Sequence, residues 1–430
     1  MQKENVLVRI TNAENERNKL FALLMTILGM TLASDIIYIF SVGSTHFTIS
    51  EVYSVILFIF LLFVNKIKWN EIFRIVGLSF QLFCIMILFS GLFALITFTN
   101  IGLLYRFVVG VISFGICLTS LIDVITLFEY RKFFVKGCAI GIVINGIISI
   151  IQYISYQMNT PFTILYEMFK QESFHMNVYN FCAQGLFLEP SHMNQFLASV
   201  LPILIGIIGM KTLKNKIVLI SAIICCVLST SGTAAVVLVG IVLYSFGERK
   251  ISRYVKKKSV IKAYAVIIGV IICVIFIHKS TMFTELLDNV SGYIQLAAEG
   301  SNIEDSSNIE RVESMQAALK LIPENLLGCG WNMVHTLLQE KTNLNTVSAF
   351  SDMLEMLLEI GILGIGLYIL TIVQSINTCL KLHKREATGV AVALICILIM
   401  EILADYAINP CIMSVLAFGM CFKKEYVEHD

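Results

Sequence analysis

Residues 185–194 read G-L-F-L-E-P-S-H-M-N and bring an acid, a proline, a hydroxyl and a histidine together. Glu189 and His192 can each take a proton from an attacking hydroxyl group. Pro190 predicts a helix start, because proline suits the first helical turn and disfavours helix in the residue before it. The N–H groups at a helix start bind anions, and Ser191 adds a donor. The segment predicts proton transfer beside a phosphate site, or else a capped helix with a hydroxyl at the water interface.

Three residues elsewhere have the chemistry to bind a phosphate. Arg311 has a planar guanidinium that grips two phosphate oxygens at once, unless it only pairs with Glu310 or Glu313 on a solvated helix face. Arg106 falls inside an apolar run, where an arginine marks either a functional site or a side chain that extends to the nearby surface. His335 stands in a long loop, as a substrate ligand or as a surface residue.

The composition places these groups in a membrane protein. Of 430 residues, 57% are hydrophobic and 14% charged, and the mean hydropathy is +0.83. Runs of about 20 apolar residues, the length that crosses a bilayer, recur along the chain. They predict an all-α polytopic protein with about 12 transmembrane helices, at 20–40, 49–65, 72–98, 101–128, 133–157, 193–210, 217–230, 232–247, 259–277, 352–377, 388–405 and 410–422. The seventh and eighth spans share one apolar run, which we divide because S-T-S-G-T at 229–233 predicts a turn.

The distribution of basic residues predicts the topology. Of the 31 Lys and Arg residues, 25 fall in the N-terminal tail and in segments 66–74, 131–136, 211–216, 249–262, 381–385 and 423–424. The alternate connections hold only five, and merging the seventh and eighth spans would remove this asymmetry. By the positive-inside rule, both termini are cytoplasmic. No small-x-small cleavage site follows the first apolar run, so that run is expected to stay as a signal anchor.

The long connections on the other, outer side predict the domain organisation. Residues 1–277 form transmembrane helices 1–9 with an outer loop at 158–192, residues 278–351 form a large extracytoplasmic loop, and residues 352–422 form helices 10–12.

The large outer loop is expected to contain one amphipathic helix, on the membrane or over a cavity. Its apolar residues recur at helical spacing, at Val312, Met315, Leu319 and Ile322, and Pro323 ends it.

The 12 cysteines form no C-x-x-C pair, and most lie in apolar runs. Buried free cysteine behaves as a small hydrophobic residue, so no metal site is expected from them. Cys182 and Cys329 both fall on the predicted outer side, where a disulfide between them is one option.

Three segments together resemble those of the Wzy-like polysaccharide polymerases and, more distantly, the O-antigen ligase superfamily. Residues 189–192, E-P-S-H, resemble the Glu-Pro-Ser segment of capsule and exopolysaccharide polymerases. Residues 228–234, L-S-T-S-G-T-A, resemble the Ser-rich hairpin of the superfamily. The third resemblance covers 323–364, where L-G-C-G at 327–330 follows a large loop and precedes Leu354, Leu357, Glu359, Gly361 and Gly364.

The resemblance implies a glycosyl transfer at the outer leaflet of a bacterial cytoplasmic membrane. The donor would be a growing glycan on undecaprenyl diphosphate and the acceptor one lipid-linked repeat unit. Membrane lipid, a chain-length regulator and a flippase are the further partners; no cofactor, metal or nucleic acid is expected. Glu189 is expected to be the catalytic base, with His192 as the second candidate. The residues expected to bind substrate are Arg311, Arg106, Ser191 and His335.

Aromatic and acidic residues near the outer segments are candidates for a glycan groove. Trp331 and Tyr153 either stack on sugar rings or belong to an interfacial belt. Asp35 and Asp405 fall near the outer side and can line the groove, whereas Asp123, near the inner end of its span, is read as an interfacial charge.

Two departures from the superfamily pattern favour a polymerase over a ligase. Gly232 stands where many hairpins have an arginine, and Phe350 stands eleven residues before Gly361, where ligases carry a histidine. A flippase, the main alternative from another class, can also have twelve spans, but no internal repeat is visible and charges are sparse at mid-span. We therefore predict polymerisation of lipid-linked repeat units into a surface polysaccharide.

Overall fold

The computed structural model describes residues 2–42, 45–97, 101–158, 182–209, 212–231, 233–251, 306–342, 348–349, 351–403 and 408–427. The predicted ninth span (259–277) lies outside these residues, as do Lys170, Phe350 and Asp405. Most of the outer loop at 158–192 is likewise outside them.

The described residues are almost entirely helical, as the all-α prediction requires. The helices are α1 (Gln2–Thr31), α2 (Ile49–Phe63), α3 (Trp69–Thr97), α4 (Ile101–Thr126), α5 (Arg131–Gln157), α6 (Pro190–Ile208), α7 (Leu213–Leu228), α8 (Ala234–Ile251), α9 (Ser306–Leu321), α10 (Val334–Lys341), α11 (Asp352–Lys381), α12 (Arg385–Leu403) and α13 (Pro410–Val427). The turn predicted between the seventh and eighth spans is confirmed between α7 and α8.

By length and composition, five helices in the described part of the chain can cross a membrane: Trp69–Leu92, Tyr105–Thr126, Phe128–Gln157, Pro190–Ile208 and Asp352–Lys381. The chain is therefore an all-α, multi-pass membrane protein. The full set of twelve spans remains a prediction.

The first span is shorter than predicted. Helix α1 ends at Thr31, and the strands β1 (Tyr38–Val42) and β2 (Thr45–Thr48) then pair with each other in antiparallel orientation. The strands are rich in β-branched and aromatic residues, which favour extended backbone. Thr48 then begins α2 through a capping box with Glu51. Helix α1 therefore ends before the predicted end of the span at residue 40, and β1 begins within the last residues of that range.

Helix α6 lies at the centre of the bundle, where it contacts α5, α8 and α12. Residues 193–206 are all buried, because this helix is apolar on every side apart from a few small or amide residues. Its first turn lies at the end of the bundle that also holds residues 182–189 and 322–342, which we call the loop end. This end is the one predicted to face outward.

The reading of Asp123 as an interfacial charge is wrong. Its side chain is completely buried within the bundle, and neither carboxylate oxygen has a hydrogen-bond partner among the described residues.

Helix α11 is broken at Gly361, whose backbone is non-helical at φ 70° and ψ −179°. Ser351 donates to the main-chain oxygen of Glu401 over 3.3 Å, and Tyr368 donates to the Glu401 carboxylate. In a straight helix, residues 351 and 368 would lie about 25 Å apart, too far for both to contact one residue. Residues 352–360 therefore fold back as a re-entrant half-helix, and the remainder, about 31 Å long, matches the thickness of a bilayer core.

The loop after α9 packs directly on the break in α11. Main-chain N–H groups of Cys329 and Gly330 donate to the oxygens of Leu358 and Glu359, over 2.8 and 3.0 Å. Ile362 N–H donates in return to the Leu326 oxygen over 3.0 Å. The break leaves backbone N–H and C=O groups without partners inside the helix. Leu326 and the L-G-C-G segment provide those partners, because buried backbone groups must be hydrogen-bonded.

The large loop contains a helix at the predicted place, α9, and a short 3-10 turn at Ile322–Glu324 follows it. Its buried face differs from the predicted one, because Ser314, Ala318 and Leu321 are buried whereas Leu319 is 51% exposed. Small side chains at 314 and 318 allow the helix to pack closely on α11, which it contacts.

The disulfide considered between Cys182 and Cys329 is absent, and both are free thiols. Cys329 is buried in the core beneath the loop, whereas Cys182 is exposed beside Thr230, with Sγ 2.8 Å from the Thr230 Oγ1.

Ion pairs gather several basic segments at the opposite end of the bundle. Arg131 binds Glu386 over 3.0 Å, Lys384 binds Glu425 over 2.8 Å, and Lys66 binds Glu129 over 3.1 Å. The structure therefore brings the inner loops of the predicted topology to one end.

Reporter tags give a direct test of the orientation. Tags at Lys214, at Lys257 and at the C-terminus are expected to report cytoplasm, and tags near Lys170 and Glu304 to report the outside, because the basic segments should remain on the cytoplasmic side. Paired phosphatase and fluorescent-protein fusions at each site measure this. A cytoplasmic signal from Glu304 would contradict the topology and would remove the compartment that the proposed chemistry needs.

Candidate functional site

The first turn of α6 begins at Pro190, as the sequence predicts. Glu189 is extended, with φ −136° and ψ 152°, and its side chain makes no cap hydrogen bond to the helix. Its carboxylate is exposed and accepts a hydrogen bond of 3.0 Å from the Ser191 hydroxyl. Glu189 and Ser191, two of the predicted site residues, therefore lie together at the N-terminus of α6.

The segment before α6 is fixed by two amide side chains of α5. The Gln152 oxygen accepts from the N–H groups of Gln184 and Gly185, over 3.2 and 3.1 Å. The Asn145 oxygen accepts from Leu186 N–H over 2.7 Å. Both α5 side chains are buried, so these hydrogen bonds are shielded from water and fix the backbone of the connection.

His192 is paired with an acid that lies far away in the sequence. Its Nδ1 is 2.7 Å from Oδ2 of Asp35, just after α1, and Oδ1 of Asp35 accepts from Leu188 N–H over 2.6 Å. The two side chains are 15% and 10% exposed, so the pair sits at the boundary between bundle and solvent. A carboxylate on Nδ1 fixes the tautomer and orientation of an imidazole, which then exchanges protons through Nε2.

The Ser-rich hairpin between α7 and α8 contacts the same turn of α6. Asn194 donates from Nδ2 to the hydroxyls of Ser229 and Thr233, over 3.0 and 3.1 Å. The main-chain oxygen of Leu228 accepts from Ala183 N–H over 2.8 Å. Two segments that are separate in the sequence are therefore one structural unit.

A second group of candidate residues surrounds the outer end of α4. Arg106 donates from Nη1 to the Thr336 hydroxyl over 3.0 Å, and its main-chain oxygen accepts from Asn332 Nδ2 over 3.2 Å. Arg106 is the second residue of the candidate span Tyr105–Thr126, so it lies at the loop end and not in the middle of a span. Burial, and after it the charge of Arg106, lower the pKa of nearby His335, which is therefore neutral at neutral pH.

A cavity of about 150 Å³ opens between α4, the half-helix and the start of α13. Its polar lining comes from Ser113, Asn332, Asp352, Glu355 and Glu359, and one wall is Trp331. Glu355 accepts from the Ser348 hydroxyl and from Ala349 N–H, both over 2.9 Å, and Glu359 accepts from Val334 N–H over 3.3 Å.

Trp331 is not part of an interfacial belt. Its main-chain N–H donates to the Ser90 hydroxyl over 3.0 Å, and its indole Nε1 donates to the Gly110 oxygen over 3.2 Å. Only 9% of the residue is exposed. Both of its donors are satisfied by α3 and α4, which fixes the ring at the cavity wall.

Residues 217–369 match the model of a family described as O-antigen ligase. This match supports membership of the Wzy/O-antigen ligase superfamily. The matched region contains the Ser-rich hairpin, the large loop and the re-entrant half-helix. No curated protein matches the chain. Members of the superfamily are membrane enzymes that act on O-antigen-related polysaccharides, with lipid-linked glycans and membrane lipid as partners.

The structure brings some of the predicted site residues together. Glu189, Ser191 and His192 are brought together, and Arg106 is brought beside His335. Arg311 lies on α9, and its side chain is outside the described residues.

Sequence reasoning missed Asp352 and Glu355, and it missed the pairing of Asp35 with His192. The spacing of Asp352, Glu355 and Glu359, three and then four residues apart, was an available signal, because it places all three on one helix face. The Asp35 pairing had no local signal, since the two residues are far apart in the chain.

Proposed function

We propose that this protein polymerises lipid-linked oligosaccharide repeat units into a surface polysaccharide at the outer leaflet of the cytoplasmic membrane. The superfamily match supports lipid-linked glycan chemistry in general. The observation that favours a polymerase over a ligase is Phe350, which stands where ligases of the family carry a histidine. The protein has another imidazole at the loop end, on His192, held by Asp35.

In the proposed reaction, the acceptor hydroxyl attacks the anomeric carbon of the donor glycan. Nε2 of His192 takes the hydroxyl proton, the new C–O glycosidic bond forms, and undecaprenyl diphosphate leaves with the electron pair of the broken C–O bond. Asp35 stabilises the imidazolium that forms. The exposed Glu189 carboxylate, beside Ser191, accepts a hydrogen bond from the acceptor and orients it.

The diphosphate leaving group needs cations at the loop end. Arg106 is exposed there, and Arg311 lies on α9, which packs over the half-helix. Guanidinium groups bind phosphate oxygens in a fork and stabilise charge that develops as the diphosphate departs. His335, neutral at neutral pH, donates a hydrogen bond to a phosphate oxygen without adding charge.

Substitution of Arg311 tests the clamp. Arg311→Ala is expected to lower the rate of chain synthesis about a hundredfold, equal to about 3 kcal/mol of transition-state stabilisation, with the single repeat unit accumulating on its lipid. Arg311→Lys should retain part of the rate, because lysine keeps the charge but loses the planar fork. Synthesis from purified lipid-linked repeat units measures both.

Lys320→Ala is the matched control for Arg311, because it removes one exposed positive charge from the same helix. Its rate should equal that of the unmodified protein. Equal rates for Arg311→Ala and Lys320→Ala would show that Arg311 is a solvated surface charge and does not bind the diphosphate.

The function itself is tested by purified protein in liposomes with lipid-linked repeat units as the only glycan. A ladder of lengthening lipid-linked chains supports the proposal. A deletion strain separates the alternatives: a polymerase leaves single repeat units on the outer leaflet, a flippase leaves them on the inner leaflet, and a ligase leaves finished chains on lipid.

A further inference from the structure

The cavity beside Trp331 has the composition of a sugar-binding site. It combines an aromatic side chain, Trp331, with carboxylate, amide and hydroxyl groups, contributed by Ser113, Asn332 and the acids of the half-helix. Aromatic rings stack on the apolar faces of other molecules, and carboxylates accept several hydrogen bonds each. A volume of about 150 Å³ suits one small ring and not a whole repeat unit.

The cavity also lies close to Arg106, the proposed diphosphate site. Its wall includes Val109 and Gly110, about one turn along α4 from Arg106, a rise of about 6 Å. Asn332 joins the two places, because it lines the cavity and donates to the main-chain oxygen of Arg106. A sugar that is linked to a diphosphate bound at Arg106 would therefore enter this cavity.

The charge of the lining restricts the sugar. Asp352, Glu355 and Glu359 place three carboxyl groups around the cavity, and none of its lining residues is basic. An acidic sugar would bring a negative charge next to Asp352 and Glu355, whereas hydroxyl and ammonium groups would donate to the oxygens of all three carboxyl groups. This lining therefore suits neutral sugars and amino sugars better than uronic acids and other anionic sugars.

We infer that this cavity binds the lipid-proximal sugar of the donor glycan and that this sugar is neutral or carries an amino group. The identity of the donor in this inference rests on the proposed function. Sugar binding in the cavity can nevertheless be measured without any polymerisation, so a failure of the sugar site can be distinguished from a failure of the proposed function.

Intrinsic fluorescence provides the measurement. The protein has two tryptophans, and Trp69 lies at the start of α3, away from the loop end. The variant Trp69→Phe leaves Trp331 as the sole tryptophan. Purified Trp69→Phe protein in detergent is titrated to millimolar concentrations with three probes: a neutral methyl hexoside, a methyl 2-amino-2-deoxyhexoside and a methyl hexuronide. We expect saturable changes in Trp331 emission with the first two and none with the hexuronide.

Variants then test the lining residues. In the Trp69→Phe background, Glu355→Gln should weaken binding of the amino sugar at least tenfold. Glu340→Gln, which changes an exposed acid of α10 outside the cavity, should not change it. Because Glu355 also holds residues 348 and 349, Asn332→Gly is the second variant. Asn332 has φ 63°, which glycine adopts readily, so its carboxamide can be removed while the turn is kept.

Asn332→Gly should weaken both sugars about fivefold or more with an unchanged melting temperature. Hexuronide binding equal to that of the neutral sugar would overturn the charge argument. No response of Trp331 to any probe, or full binding in both Glu355→Gln and Asn332→Gly, would overturn the site. Binding without polymerisation would leave the sugar site standing and refute only the polymerase.

Discussion

Replacing His192 with asparagine is expected to lower the rate of chain synthesis by a factor of about 10²–10⁴, the range that a positioned general base contributes. Asparagine places an N–H close to the position of Nδ1, so the hydrogen bond to Asp35 is kept while the proton acceptor at Nε2 is lost. The protein should therefore reach the membrane in normal amount with an unchanged melting temperature. Initial rates with purified lipid-linked repeat units measure the effect.

Two further variants separate the roles of the acids around His192. Asp35→Asn should also lower the rate at least a hundredfold, because an amide N–H opposite Nδ1 moves the imidazole proton to Nε2 and removes its basicity. Glu189→Gln should reduce the rate only about tenfold if His192 is the base. A loss from Glu189→Gln as large as that from His192→Asn would assign the base to Glu189, and normal synthesis by His192→Asn would contradict the proposal.

Gly361→Ala is expected to destabilise the protein by about 3 kcal/mol or more and to abolish synthesis. The backbone at Gly361, with φ 70° and ψ −179°, is in a region that is almost restricted to glycine. An added Cβ would also overlap the main chain of Leu326 and Leu327, which pack against the break. The half-helix that carries Asp352, Glu355 and Glu359 would then be displaced. Thermal unfolding in detergent and the synthesis assay report the two consequences.

Gly366→Ala is the matched control, one turn further along α11. Gly366 is helical, and a Cβ there would meet no atom within 4 Å. Alanine favours helix over glycine by about 1 kcal/mol, so this variant should be as stable as the unmodified protein or more so. If Gly361→Ala and Gly366→Ala have equal melting temperatures, the re-entrant turn does not depend on glycine.

The sequence alone determined the class of the protein, the approximate position of the helices that the structure describes and the segments that resemble the superfamily. Length and hydropathy were sufficient for the helices, because a bilayer demands long apolar helices whose backbone groups bond internally. Local chemistry was sufficient for the start of α6 at Pro190, the turn before Ala234 and the end of α9 near Pro323. These features depend on interactions within a few residues, which a sequence pattern records.

The tertiary structure decided how those segments meet. The pairing of Asp35 with His192 joins residues at the ends of α1 and α6, and no periodicity encodes it. The turn of the half-helix at Gly361 lies inside the predicted span 352–377, and its backbone groups are satisfied by Leu326, Cys329 and Gly330 of a distant loop.

The cavity that results is formed by α4, the loop, the half-helix and the start of α13, so its existence is a property of packing and not of any one segment. The sequence could supply Trp331 and Glu359 as isolated candidates. Only long-range contacts could place them with Asp352 and Glu355 around one space, since the free energy that holds them there comes from burial and hydrogen bonds between elements far apart in the chain.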